Sequence, residues 1–457
     1  MVTKYQAIIE YIMHLAARDE LKAGDRLPSI REMAQRFKCN KSTAIRAYAE
    51  LEKEHAVYAI PQSGYYLVGR KDGVKHSGVE TFDFASAGPA VEFLPYREFQ
   101  HCMNQAIDAY RQELFNYGPP QGLPALRKVL ARTFQNSQVF ASEEQVMITT
   151  GSQQALEILV GMEFPNGKQN VLVEQPTYAG LIGACRQLGV KVMGVERGWD
   201  GIDLENLERI FRNGNIKFFY TIPRLHNPSG TSLTTQVKRE ILKLAQTYDV
   251  YIVEDDYLAD LEVDTKSDPI YAFDRSSRVV YIKSYSKTLM PGLRLGAAVL
   301  PPLLLNTYKE RKRTSDLGSS TITQAALEIF ISSGIYQSHI QRIKGLYKER
   351  MNHLELLFDE ILPGLRRSNP TTGLFMAVQL PCRAKTFCQT LLGRNILVTD
   401  VDQMRLPEFR RDDQIRLSIT RVDSALMKAG VCGIAEALQG LNERRINGQR
   451  QNEVEVL

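Results

Sequence analysis

The sequence predicts an α/β protein in two parts, on three observations. Within the first seventy residues, three short helical patterns are closed by two runs of β-branched and aromatic residues. Beyond residue 81, short apolar runs alternate with helical stretches, the pattern of a mostly parallel sheet. From about residue 335 the alternation gives way to long helices with two or three strands, a smaller C-terminal α+β part. The implied boundaries are a module over 1–70, a linker over 71–81, a large domain over 82–445 and a polar tail over 446–457. The large domain divides into 82–334 and 335–445.

A chain of 457 residues exceeds one ordinary domain and can bury a sizeable core. Its apolar (44%) and charged (24%) fractions are those of a water-soluble globular protein. No run approaches the roughly 18–20 apolar residues of a membrane span, and the start lacks a signal-peptide layout. The six cysteines (Cys39, Cys102, Cys185, Cys382, Cys388 and Cys432) show no CxxC spacing and no histidine cluster. Reduced thiols in a cytoplasmic protein are therefore expected, with no metal site. Of the net charge of +5, residues 1–75 carry +4, from 13 Lys/Arg against 9 Asp/Glu. That bias suits a module approaching phosphates without proving it.

In the N-terminal module, Tyr5, Ile8, Ile9, Ile12, Met13 and Leu15 recur at helical spacing. Ser29 with Glu32 three residues later is a capping box, so a second helix starts there and runs to about Phe37. After a turn at Lys38-Cys39, a third helix spans roughly 41–54, capped by Asn40. Its Ile45, Tyr48 and Leu51 are expected inward, with Lys41, Ser42, Thr43 and Arg46 on the outer face. Two short helices joined by a tight turn, the second presenting hydroxyl and basic groups, form a helix-turn-helix. The runs 57–60 and 65–68, flanking Pro61-Gln62-Ser63-Gly64, read as a β-hairpin wing.

Leu27-Pro28-Ser29-x-Arg31-x-Met33-Ala34 followed by Ser42-Thr43-x-x-Arg46-Ala47-Tyr48-x-x-Leu51 resembles the winged helix-turn-helix of the GntR family. The resemblance implies double-stranded DNA as a partner, met by Arg31, Lys41, Ser42, Thr43 and Arg46, with the Ser63-Gly64 tip in the minor groove. Thr43 and Arg46 are assigned to base edges and Lys41 to a phosphate.

The stretch from Gly69 to Thr81 is polar and aperiodic, about 13 residues that reach roughly 40 Å at full extension. Beyond it, strands are expected at 145–149, 170–174, 191–195, 216–221, 249–254, 278–282 and 296–300. In the C-terminal part they are expected at 373–380 and 414–419.

Several motifs sit at the ends of these runs. Thr150-Gly151-Ser152-Gln153 follows a strand and opens a helix, where backbone N–H groups and the helix dipole receive phosphate. Glu254-Asp255-Asp256-Tyr257 places carboxylates at a strand's end. Ser284-Tyr285-Ser286-Lys287 precedes Arg294 by seven residues, and Arg416 stands in the apolar run Ile415–Ile419, where a buried guanidinium requires an anion.

Together with Glu174-Gln175-Pro176-Thr177-Tyr178, Pro223-x-x-x-Asn227-Pro228-x-Gly230 and Asn116-Tyr117-Gly118, these resemble the fold type I aminotransferases over about 85–440. Their cofactor is pyridoxal 5′-phosphate (PLP), and the large part of that fold carries seven strands. The resemblance implies Lys287 as the catalytic lysine, joined to PLP as a Schiff base. Gly151, Ser152, Gln153, Ser284, Ser286 and Arg294 would hold the phosphate, Asp255 the pyridine nitrogen, and Asn227 with Tyr257 the ring oxygen. Tyr178 would stack on the ring, Tyr117 would reach a neighbour's phosphate in a homodimer, and Arg416 would take a ligand carboxylate.

The whole chain resembles the MocR subfamily of GntR regulators, in which relatives pair head-to-tail. The expected function is a PLP-dependent transcription regulator that senses an amino compound or PLP itself. A working aminotransferase with an accessory DNA-binding domain stands as the alternative.

Overall fold

The computed structural model describes residues 3–18, 20–22, 24–53, 56–60, 63–68, 81–264, 266–370 and 372–454, with backbone alone from 442. The expected linker as far as residue 80, and Pro61-Gln62 of the wing, lie outside the described residues. The chain falls into two compact units, Met1–Glu80 and Thr81–Leu457.

The smaller unit has helices Lys4–Ala17, Ile30–Arg36 and Lys41–Lys53, then strands Val57–Ile60 and Gly64–Leu67 paired antiparallel. The capping box forms as read: Ser29 Oγ accepts from Glu32 N at 3.2 Å, and Ser29 N donates to Glu32 Oε2 at 2.6 Å. Lys38, at φ +44°, makes the turn into the third helix. The core joins Ile8, Ile12, Leu27, Met33, Tyr48, Leu51, Val57 and Leu67.

One expected core residue is displaced. Ile45 is 48% exposed, and Ala44, Ala47, Tyr48 and Leu51 point inward instead. Small alanines bring the third helix close to its neighbours, and the stripe they define turns Ile45 outward beside Ser42 and Arg46.

The larger unit is built on an eight-stranded sheet. In spatial order the strands are Val146–Thr149, Gly296–Val299, Val279–Ser284, Tyr251–Asp255, Ile216–Thr221, Asn170–Gln175, Val192–Gly198 and Gly201–Ile202. The five from 279–284 to 192–198 run parallel, whereas 296–299 is antiparallel to both of its neighbours. Seven match the expected runs. The eighth is a two-residue edge strand that folds back antiparallel on Val192–Gly198, too short to leave a periodic signal. The central strands are buried on both faces, which explains continuous apolar runs such as Val171-Leu172-Val173.

The C-terminal part holds the long helix Ile335–Ile361, packed against the last helix, and a sheet of Phe375–Gln379, Gln414–Ser418 and Thr399–Asp400 on which Ala384–Leu392 lies. Phe82–Asp83, placed by sequence with the large part, pairs instead with Ile396–Leu397. The polar end expected as a tail continues the last helix, Ser424–Val454. No helix among the described residues is long and apolar enough to cross a membrane.

Candidate functional site

Parallel strands deliver their C-terminal ends to one edge of a sheet, and ligands of such folds bind there. Here that edge carries a cavity of about 220 Å³ lined by Ser152, Gln153, Tyr178, Asn227, Asp255, Tyr257, Ser284, Ser286, Lys287 and Arg294. All ten were expected from sequence. Tyr220, Ile222 and Pro291, which were not, complete the lining.

Lys287 stands in the turn after the strand Val279–Ser284. Burial, then the nearby Arg416, pushes its ammonium down to about 8, while Asp255 opposes the shift. A share of Lys287 is thus neutral and nucleophilic near pH 7.

Asp255 ends the strand Tyr251–Asp255. Pleating separates it from its acidic neighbours. Glu254 accepts from the backbone N–H groups of Ile270 and Tyr271, and Asp256 is held by Arg224 and Tyr281. Only Asp255 lines the cavity. Tyr220 Oη donates to its Oδ2 at 2.8 Å, and its buried Oδ1 has no partner. Burial lifts this carboxyl to about 7 against the Tyr220 hydrogen bond. Such an oxygen suits a cationic ring N–H.

The phosphate end is a glycine turn. Gly151 caps the helix Ser152–Gly161 at φ 79°, ψ 168°, a conformation open essentially to glycine. A Cβ there would also lie 2.8 Å from Arg294 Nη2. Arg294, itself left-handed at φ +51°, donates to the Thr150 carbonyl at 3.2 Å and keeps the rest of its guanidinium exposed. Behind the turn, Lys312 binds Asp316, which accepts from Gln154 Nε2 at 2.7 Å. This buried brace was not visible from the motif.

Tyr257 Oη donates to the Leu225 carbonyl at 3.1 Å. Arg416, 5% exposed, donates from Nη1 to Asn227 Oδ1 at 3.2 Å and from Nη2 to Thr399 Oγ1 at 3.0 Å and the Ala85 carbonyl. Its guanidinium lies 4.5 Å from the Phe375 ring centroid. Among the described residues it has no carboxylate partner, and its Nε is unsatisfied. Burial pulls it down to about 10. Tyr117 stands apart, 91% exposed on the loop before Pro124, beside a separate cavity lined by Gln112, Asn116 and Thr321.

In the smaller unit, Arg31, Lys41, Ser42 and Arg46 are exposed, and Thr43 is half-buried. Arg46 stacks 4.5 Å over the Tyr5 ring. Ser63 Oγ pairs with Tyr66 Oη, and Gly64 takes φ +121° at the wing's tip.

Residues 91–433 match the aminotransferase class I and II family, and residues 4–67 match the gntR family of bacterial regulatory proteins. An uncharacterised HTH-type transcriptional regulator of Bacillus subtilis, YcxD, is 42% identical over 94% of this chain and 98% of its own. The 2-aminoadipate transaminase of Thermus thermophilus is 28% identical over 78% of this chain and 90% of its own. Among solved structures, a kynurenine aminotransferase of Pyrococcus horikoshii, in complex with PMP, aligns with a TM-score of 0.74 at 25% identity. It covers 79% of this chain and 92% of that one.

Fold and site together define a class, regulators in which a winged helix-turn-helix precedes an aminotransferase-like domain. The chain belongs to the aminotransferase class I and II family and to the GntR regulators of this fused, MocR-type arrangement. The aminotransferase family is PLP-dependent, and the groups of this cavity fit that cofactor: a depressed lysine, a free Asp255 oxygen and a glycine turn beside Arg294.

Proposed function

We propose that the protein is a cytoplasmic, PLP-dependent transcription regulator whose larger unit senses an amino compound, or PLP itself. The observation that carries this reading is Arg416, a buried guanidinium with no ion pair among the described residues, bonded to the Asn227 that lines the cavity of Lys287 and Asp255. A buried charge without a counterion is costly, and an amino acid's carboxylate supplies one.

PLP, when bound, supplies an electron-withdrawing ring and an aldehyde carbon onto which primary amines exchange. Lys287 would hold that carbon, and Asp255 would face the pyridine nitrogen through Oδ1. Gly151, Ser152, Gln153, Ser284, Ser286 and Arg294 would hold the phosphate, Tyr178 the ring face, and Asn227 and Tyr257 the ring oxygen. Tyr117, exposed and outside the cavity, would serve a second copy's site in a homodimer paired head-to-tail. Arg31, Lys41, Ser42, Thr43, Arg46, Ser63 and Gly64 would meet operator DNA. Moving the switch from 1:99 to 99:1 requires the effector to prefer one state by roughly 10⁴-fold.

The cavity also holds the groups that turnover needs, so a residual transaminase activity is the second reading. The 42% identity to an HTH-type regulator across nearly the whole chain favours regulation.

A fluorescence-anisotropy titration with upstream DNA, at fixed salt with and without PLP, tests the proposal. Specific binding that needs Arg46, and responds to PLP only when Lys287 is present, is expected. PLP-independent binding, unchanged in Lys287→Ala, sinks it.

A further inference from the structure

A second cavity, of about 110 Å³, lies on the other side of the 226–229 turn. Its wall brings together four arginines, Arg197, Arg366, Arg405 and Arg411, with Trp199 and a single acidic residue, Glu196. Three of the arginines have internal partners. Arg197 binds Glu174, Arg411 binds Glu196, and Arg405 lies 3.8 Å from Asp402. Arg366 has no ion pair among the described residues and instead sits 5.1 Å from the Trp199 ring centroid.

Two lining groups are nearly buried: Arg197 (4% exposed) has no hydrogen-bond partner at Nε, and His226 (1% exposed) has no hydrogen bond at Nε2, which lies 3.5 Å from the Glu174 carboxylate. The carboxylates nearest these arginines are Glu196 in the wall and Glu174 and Asp402 beside it, which leaves Arg366 as the arginine without an ion pair among the described residues. Burial and then Arg197 drive His226 well below its ordinary value, and burial and then Arg411 lower Arg405. Four guanidiniums around one cavity, with an aromatic ring in its wall and one guanidinium free of any ion pair among the described residues, suit a small oxyanion.

This cavity shares its walls with the Lys287 site. Pro176 faces it while Tyr178 faces the other; His226, Pro228 and Ser229 face it while Asn227 faces the other. Gln414 faces it from the strand whose Arg416 binds Asn227. We propose that this cavity is a second ligand site, selective for a small carboxylate or phosphate, whose occupancy shifts the Asn227–Arg416 contact of the Lys287 site.

Trp199 is the only tryptophan of the chain, so its emission reports this cavity directly. The full-length protein is titrated with inorganic phosphate and, separately, benzoate, against chloride at matched ionic strength. A saturable emission change with either probe is expected, and the probe that binds names the chemistry. Arg366→Gln and Arg405→Gln should each weaken it by at least about tenfold. Arg366 is exposed, so its variant keeps the test open if Arg405→Gln does not fold. Arg416→Gln should leave the emission change saturable, which separates this site from the other, and should shift its midpoint only by as much as the Asn227–Arg416 contact is coupled to the anion.

A linear response shared by chloride, or equal affinity in wild type and Arg366→Gln, overturns the site. The coupling rests on the PLP reading above and is measured separately, as a shift in PLP affinity at saturating anion. In Lys287→Ala the emission titration should be unchanged, so failure of the cofactor reading and failure of this site give different results.

Discussion

The two units spend the same residue types in opposite ways. In the smaller one, Arg31, Lys41, Ser42 and Arg46 stand exposed on helices whose buried faces are apolar, so water and salt screen the three cations. In the larger one, Lys287, Asp255 and Arg416 are taken from water, and burial leads the causes that move each away from its usual value. A surface acts when a partner covers it, whereas a cavity is charged with unmet interactions before any ligand arrives. Substitutions should therefore act through affinity and salt in the first unit and through all-or-none chemistry in the second.

The sharpest break of that contrast is Lys287→Ala. Wild type incubated with PLP and desalted should keep a visible absorbance band, and the variant should lose it completely. Arg416→Gln comes next. It should weaken binding of a carboxylate-bearing amine to the PLP-loaded protein by about 100-fold, from the roughly 2–5 kcal/mol of a buried charge-assisted pair. The corresponding amine without a carboxylate should bind as before. Equal losses for both amines would show that Arg416 supports the fold rather than the ligand.

The surface unit should answer more gently. Arg46→Ala should cost about 1–3 kcal/mol of specific DNA binding if it reads a base edge. Lys41→Ala should weaken all sequences alike and lower the salt slope by about one phosphate's worth. Reversed behaviour of the two would exchange their assignments. Ile45, turned outward beside them, adds an apolar surface suited to a thymine methyl.

How much of this was legible follows from what each residue type signals. The lining of the Lys287 cavity was readable because Asn227-Pro228, Ser284-x-Ser286-Lys287 and Arg294 stand in short motifs that resemble those of the aminotransferases. Tyr220 was not, because an aromatic in a buried strand looks the same whether its hydroxyl meets Asp255 or a water. Ile45 misled for a related reason. Helical period fixes which residues share a face, but alanines at 44 and 47 decided which face packs. The Arg416 strand was readable, yet the unsatisfied Nε and the bond to Asn227 were tertiary facts.

The smallest expected effect tests whether burial governs the cavity. Asp255 sits at about 7 in the folded chain against an ordinary 3.8, so the folded state holds its proton more tightly than the unfolded one. Its contribution favours folding below about 4, is lost as pH rises from 4 to 7, and is constant above. Asp255→Asn removes that titration. The melting temperature of PLP-free wild type should therefore fall relative to the variant across that window, by a few degrees at most for a unit this size. PLP should remove the fall, because a protonated ring nitrogen favours the ionised carboxylate. The same substitution takes away the group that holds Lys287 up, so capture of PLP, which needs the neutral amine, should reach half its maximal rate at a lower pH than in wild type. A parallel melting curve for both proteins would mean that the carboxylate is hydrated in solution, and that the cavity resembles the surface unit more than its burial implies.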